Sequence, residues 1–182
     1  MSIPFFVLFL FLFHSLQAQE NSDLHLFSSV GIYELGAQRI VADTNVRFAN
    51  TITENGRSLD VYSYINRFVV PCQINGIKFQ NLMLFYKSGK LVKMDFIRMY
   101  EERVESVLVS RRSDEMNTLH TYLNKRSSVK GRKRIFADYG FMFEQGYQWK
   151  KGDKIMQLKI YNRTTSVPKE KMLIFSIRYK DY

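Results

Sequence analysis

Residues 75–97 read NGIKFQNLMLFYKSGKLVKMDFI, and the fold turns on how this stretch is parsed. Asn75-Gly76 is the strongest short hairpin signal available, because both residues tolerate the positive φ of a tight two-residue turn. Ser88-Gly89 supplies a second such turn. Between them, 77–87 reads as one strand, and 90–97 reads as the next. In the latter, Val92, Met94 and Phe96 share one face while Lys93 and Asp95 share the other. Just upstream, 59–70 (LDVYSYINRFVV) is rich in β-branched and aromatic residues, as strands are. Three strands joined by tight turns make an antiparallel meander.

A second β region lies toward the C-terminus. Tyr147 and Trp149, two apart, share a face of a strand that ends at Lys151-Gly152. The return strand, 154–161, is expected to bury Met156, Leu158 and Ile160 and to expose Gln157 and Lys159. Pro168 marks a loop, and 172–179 (MLIFSIRY) places Leu173, Phe175, Ile177 and Tyr179 on one face. The segments YKSGKLVKM (86–94) and WKKGDKIMQL (149–158) follow one scheme with a single insertion. Either a degenerate duplication of a helix-plus-meander unit or two generic hairpins explains that likeness.

Helical spacing occupies the connection. Tyr100, Val104, Val107 and Leu108 fit a period of 3.6. Ser113 then reads as the N-cap of a second helix, with Asp114 and Glu115 in its first turn and Met116, Leu119, Tyr122 and Leu123 as its apolar stripe. Near the start, Ala37, Ile40, Val41, Thr44 and Phe48 predict one short helix. The expected class is therefore α+β: an antiparallel sheet built from two β-meanders with intervening helices, in a single domain spanning 19–182.

The N-terminus reads as an address. Residues 3–13 (IPFFVLFLFLF) form an apolar run too short for a spanning helix, which needs ~20 residues. Leu16 and Ala18 predict signal-peptide cleavage after Ala18, although the segment carries no Lys or Arg ahead of the run. The expected destination is the periplasm or the exterior, with no transmembrane span in the mature chain. Lipid anchoring at the cleavage site needs a cysteine there, and the chain's single cysteine is Cys72. One thiol also excludes an internal disulfide framework, so packing must rest on hydrophobic burial.

The run Asn75-Gly76-Ile77-Lys78-Phe79, the stretch 82–86, Gly89-Lys90-Leu91 and the later Tyr147-x-Trp149-x-x-Gly152 resemble small exported bacterial proteins of unknown function. Those are built from antiparallel sheet-plus-helix units, similar in plan to β-lactamase-inhibitor-protein-like modules. The resemblance covers residues 60–180 and consists of hairpin grammar. It implies a sheet-plus-helix plan and carries over no ligand and no functional residue.

Catalytic chemistry has little to stand on. Past the leader, His25 and His120 remain, with no cysteine, histidine or carboxylate at metal-ligand spacing. Cys72 and His120 are the one nucleophile–base pair that sequence spacing leaves open. Glu101, Glu102 and Glu105 sit near Arg98 and Arg103, as on a solvated helix face. Asn162-Arg163-Thr164 matches the glycosylation sequon, which matters only in a eukaryotic secretory pathway. No phosphate-binding loop, dinucleotide fingerprint or nucleophile elbow occurs. A non-enzymatic protein without cofactor or metal is expected.

Charge is the remaining signal. The chain carries 27 Lys+Arg against 17 Asp+Glu, a net +10. Residues 111–134 contain Arg111, Arg112, Lys125, Arg126, Lys130, Arg132, Lys133 and Arg134 against Asp114 and Glu115, a net +6. The tightest part, 130–134, is expected to be an exposed loop. The candidate contact residues are Lys125, Arg126, Lys130, Arg132, Lys133 and Arg134, together with an aromatic sheet face at Tyr147 and Trp149. Two functions follow as expectations. One is a module that binds a protein partner or cell-envelope component. The other is an electrostatic binder of an anionic surface or polymer, such as a lipid or glycan, through 111–134. Nucleic acid is a poorer partner, because no aromatic residue lies between Tyr122 and Phe136.

Overall fold

A computed structural model describes residues 24–25, 27–39, 43–66, 69–100, 105–163 and 170–182. The proposed leader, Ile40 and Val41, Glu101 and Glu102, and Pro168 lie outside them. The strands, in chain order, are β1 (Leu24–His25), β2 (Ser29–Val30), β3 (Tyr33–Glu34), β4 (Val46–Glu54), β5 (Arg57–Tyr64), β6 (Cys72–Ile74), β7 (Ile77–Phe79), β8 (Asn81–Lys87) and β9 (Lys90–Met99). The helix α1 (Glu105–Arg126) follows, and then β10 (Arg132–Asp138), β11 (Met142–Lys151), β12 (Lys154–Arg163) and β13 (Glu170–Tyr179).

Eight strands form one antiparallel sheet in the order β10-β11-β12-β13-β9-β8-β5-β4. The expected α+β plan with several helices is thus corrected. The protein is mostly β, and among the described residues α1 is the only helix. The two meanders do not form separate units. They join through the β9–β13 pair, where Phe96 lies opposite Phe175, into one continuous sheet.

Three local corrections share a physical cause in tertiary pairing. The single helix runs through Ser113 because its middle is held from outside: Glu115 pairs with Arg98 of β9 at 2.6 Å, and Tyr100 Oη donates to it at 2.7 Å. Buried Arg112 reaches Asn162 of β12 in the same way, which also seats the sequon asparagine within a strand. In the described part of 37–48, where a short helix is expected, none forms: Gln38 bridges Lys90, the backbone of 36–39 pairs with the β8–β9 turn, and β4 begins at Val46. The basic segment expected as a loop enters the sheet at Arg132.

Both turns of the opening stretch form as their chemistry requires, with φ of 49° and 78° at Asn75-Gly76 and 48° and 78° at Ser88-Gly89. The strand expected over 77–87 breaks into β7 and β8. A register shift opposite Phe85/Tyr86 turns Val92 away from Met94 and Phe96, so Leu91 takes the place expected for it.

The sheet is buried on the α1 face. Met116, Leu119 and Leu123 of the helix cover Trp149, Met156, Leu158, Phe175 and Ile177, and Phe27, Val30, Tyr33 and Leu35 near the N-terminus complete the same core with hairpin β6–β7. The opposite face is crowded as well, which contradicts the exposure expected for Gln157 and Lys159. Gln157 is buried, and Lys159 pairs with Glu144 at 3.0 Å. Lys93 of β9 reaches Glu54 of β4 at 3.3 Å. Three strand spacings of ~4.8 Å separate those strands in a flat sheet, so this half curls toward the face away from α1.

Candidate functional site

The β10–β11 edge gathers six basic residues, Arg132, Lys133 and Arg134 on β10, Lys150 and Lys151 on β11, and Lys130 in the loop before them. Neighbours two apart on a strand point the same way about 6.6 Å apart. Arg132 and Arg134 accordingly share the face away from α1, with Arg132 paired across to Gln148 and Arg134 to Gly146. Lys150 lies two residues beyond Gln148 on that same face, and Lys130 approaches from the preceding loop. These residues, with Val129, line a depression of about 240 Å³. A Cβ at Gly146 would meet the Leu158 carbonyl oxygen at 1.9 Å, so the backbone of β12 approaches too closely there for any side chain, and none stands opposite Arg134.

Electrostatics distinguishes this depression from the other charged surfaces. The ion pairs among the described residues join Lys93 to Glu54 and Asp95, Arg98 and Arg111 to Glu115, and Lys159 to Glu144. None involves Lys130, Arg132, Arg134 or Lys150. Four cations therefore converge on one concavity without a carboxylate among them, an arrangement that repels itself until an anion arrives.

The edge is held in place from beneath by an asparagine. Asn124 Oδ1, in the last turns of α1, accepts hydrogen bonds from Trp149 Nε1 and from the Gly131 amide, each at 2.8 Å. Two donors on one oxygen fix the amide orientation, so Asn124 Nδ2 must donate to His120 Nε2, 2.8 Å away. His120 is therefore neutral, with its proton on Nδ1. Burial also lowers its pKa. Its ring stacks on Tyr147, with centroids 3.6 Å apart. Gly131 lies flat on the indole, since a Cβ there would come within 2.4 Å of Trp149 Cε2. The loop that presents Lys130 and Arg132 is thus clamped between helix and sheet.

The residues expected from sequence now fall into three groups. Lys130, Arg132 and Arg134 are brought together at the depression. Lys133 points to the α1 side of β10, opposite Tyr147, while Lys125 is exposed in the last turn of α1. Arg126 donates to Tyr122 Oη at 2.9 Å and lies over its ring. Trp149 is 0% exposed and Tyr147 half-buried, so the aromatic pair forms the support of the site rather than its surface. Lys150 and Gln148 were not singled out from sequence, although their two-residue spacing along β11 placed them on a shared face.

A second polar group was not anticipated. On the face away from α1, Ser176 donates to Asp95 Oδ1 at 2.6 Å, and Asp95 also pairs with Lys93 at 3.4 Å. Burial alone would lower the Lys93 pKa, but the Asp95 and Glu54 carboxylates outweigh it and hold the ammonium above its ordinary value. Arg178, close to the same carboxylates, is pushed the other way, chiefly by burial. These charges balance within the group.

Cys72 and His120 are not assembled as a pair. Cys72 sits opposite Phe79 in hairpin β6–β7, and burial pushes its thiol up to about 12. His120 contacts Asn124, Tyr147 and Trp149 instead.

Fold and site together define a mostly antiparallel β protein with one covering helix and a basic sheet edge. No family model, curated protein or solved structure matches the chain. Among the described residues no helix is long and apolar enough to cross a membrane.

Proposed function

We propose that this protein is an exported, non-enzymatic module that binds an anionic component of the cell envelope through the exposed face of β10 and β11. The observation that carries this reading is the convergence of Lys130, Arg132, Arg134 and Lys150 on one depression with no carboxylate partner among the described residues. The leader-like run at 3–13 supports export, and the tight clamp on Gly131 supports a preorganised surface.

Calorimetric titration with inorganic polyphosphate tests the reading. Binding at low salt that weakens steeply as salt is added is the expected result. The double variant Arg132→Gln/Arg134→Gln should bind about 30-fold more weakly, at roughly fivefold per charge. Unchanged binding by that variant, or affinity indifferent to salt, sinks the proposal.

A protein partner is the second reading. It is favoured by β10 being an edge strand, whose outward backbone groups are open to another chain's strand. An acidic extended segment would suit both that edge and its charge.

A further inference from the structure

Apolar side chains sit on the same edge as the cations. Ile135, at 67% exposure, continues β10 directly from Arg134, and the β10–β11 turn carries Tyr139 at 65% and Phe141 at 48%. The turn is closed by the Tyr139 amide donating to the Met142 carbonyl at 3.0 Å, with Gly140 between the aromatics at φ 76°. The Tyr139 and Phe141 rings lie 6.2 Å apart and only 24° from parallel, so they present one joint apolar surface. Because β10 is an edge strand, Arg132, Lys133, Arg134 and Ile135 are all exposed in succession on both of its sides. Cations and apolar groups thus form one line along the edge of the sheet, about 20 Å from Arg132 to the turn.

A soluble polyanion makes use of the cations and leaves Ile135, Tyr139 and Phe141 in water. An anionic bilayer accommodates both. Phosphate headgroups meet the guanidinium and ammonium groups, and the interfacial zone just beneath takes up aromatic and branched side chains. We infer, building on the anion-binding role proposed above, that its ligand is an anionic phospholipid surface, against which the β10–β11 edge lies with Tyr139 and Phe141 entering the headgroup–acyl boundary. The charge sets which membrane is chosen, and the aromatic turn sets how long the protein stays. Asp138 lies between the two groups at the end of β10, where it keeps the penetration shallow.

The substitution Phe141→Trp places a reporter in the turn, and the chain's own single tryptophan, Trp149, is wholly buried and insensitive to the lipid. The protein as recovered from its host is mixed with phosphatidylglycerol-containing vesicles, with pure phosphatidylcholine vesicles, and with polyphosphate. The expected result is a blue shift of emission on the anionic vesicles alone, together with polyphosphate binding that leaves the emission unshifted. In sedimentation, Tyr139→Ser/Phe141→Ser should lose about tenfold or more in affinity for anionic vesicles, as burial of an aromatic side chain implies, while keeping its polyphosphate affinity and its thermal midpoint. Polyphosphate binding without any emission shift on anionic vesicles overturns the lipid inference and leaves the anion-binding function standing. Failure to bind either ligand removes both. An equal shift on phosphatidylcholine overturns the role given to the cations.

Discussion

The two edges of the sheet, β4 and β10, occupy corresponding places and are built differently. Each is the outermost strand of a four-stranded half, each continues through a tight turn into its neighbour, and the halves meet at β9 and β13. In β4 (VRFANTITE), Glu54 is tied to Lys93, Thr51 hydrogen-bonds Asp60 at 2.9 Å, and Arg47 is the one cation. In β10 (RKRIFAD), three cations stand in a row with no ion pair to any described residue. Protecting an edge from unwanted strand pairing takes a bulge and a charge or two, and β4 has that much in Arg47 and its register shift at Phe48/Asn50. The further charge on β10, the depression beside it and the Asn124 clamp behind it exceed what protection requires. The β4 edge is therefore an internal control for any claim about β10.

The largest expected difference between the halves comes from the support beneath β11. Trp149→Ala empties the space under α1 and should cost about 3–5 kcal/mol in chemical unfolding, along with polyanion binding. Phe48→Ala on β4, an exposed residue edge-to-face with Tyr62, should cost under about 1 kcal/mol and leave binding intact. A comparable loss at both positions would remove the asymmetry.

Next comes Gly131→Ala, which drives a methyl into the indole and should destabilise by about 1–3 kcal/mol, displacing Lys130 and Arg132. Weakened polyphosphate binding measured well below the variant's melting range would confirm that the clamp positions the cations. Full affinity there would show that it does not.

A smaller effect is expected from acid. His120 has a folded-state pKa below its ordinary 6.5, so the unfolded chain takes up the proton first. Its contribution to stability is complete above about pH 6.5 and is lost as pH falls through the lower folded value, because a protonated Nε2 would face the Asn124 Nδ2 donor. Thermal midpoints measured across that window should fall less steeply in His120→Gln than in the parent. Identical slopes would mean that the clamp does not sense protonation.

Much of this asymmetry was hidden in the sequence for physical reasons. Asn55-Gly56 forms the same kind of turn as Asn75-Gly76, with φ of 53° and 72°, yet the flank before it shows no clear alternation because β4 is largely open on both faces. The stripe of Met116, Leu119 and Leu123 was legible, since one helix face meets one sheet. The continuity of α1 through Ser113 was not, because Arg98, Tyr100 and Asn162 come from distant strands. Basic character in 130–134 could be read directly. That Arg132–Arg134 pair with β11 could not, because cations on an edge strand mask the pattern of a buried one. Tyr147 and Trp149 were recognisable as a shared face, but only the helix position decides that this face looks inward.

In the proposed function, charge on β10 that has no ion pair among the described residues, and not net charge at large, binds the anion. The slope of log affinity for polyphosphate against log salt measures it, since each phosphate contact removed lowers the slope by about one unit. Arg132→Gln/Arg134→Gln should flatten that slope by about two units, while Arg47→Gln on the opposite edge leaves it unchanged. Equal flattening by substitutions at both edges would show that the +10 acts diffusely, and would contradict the assignment of the site to β10.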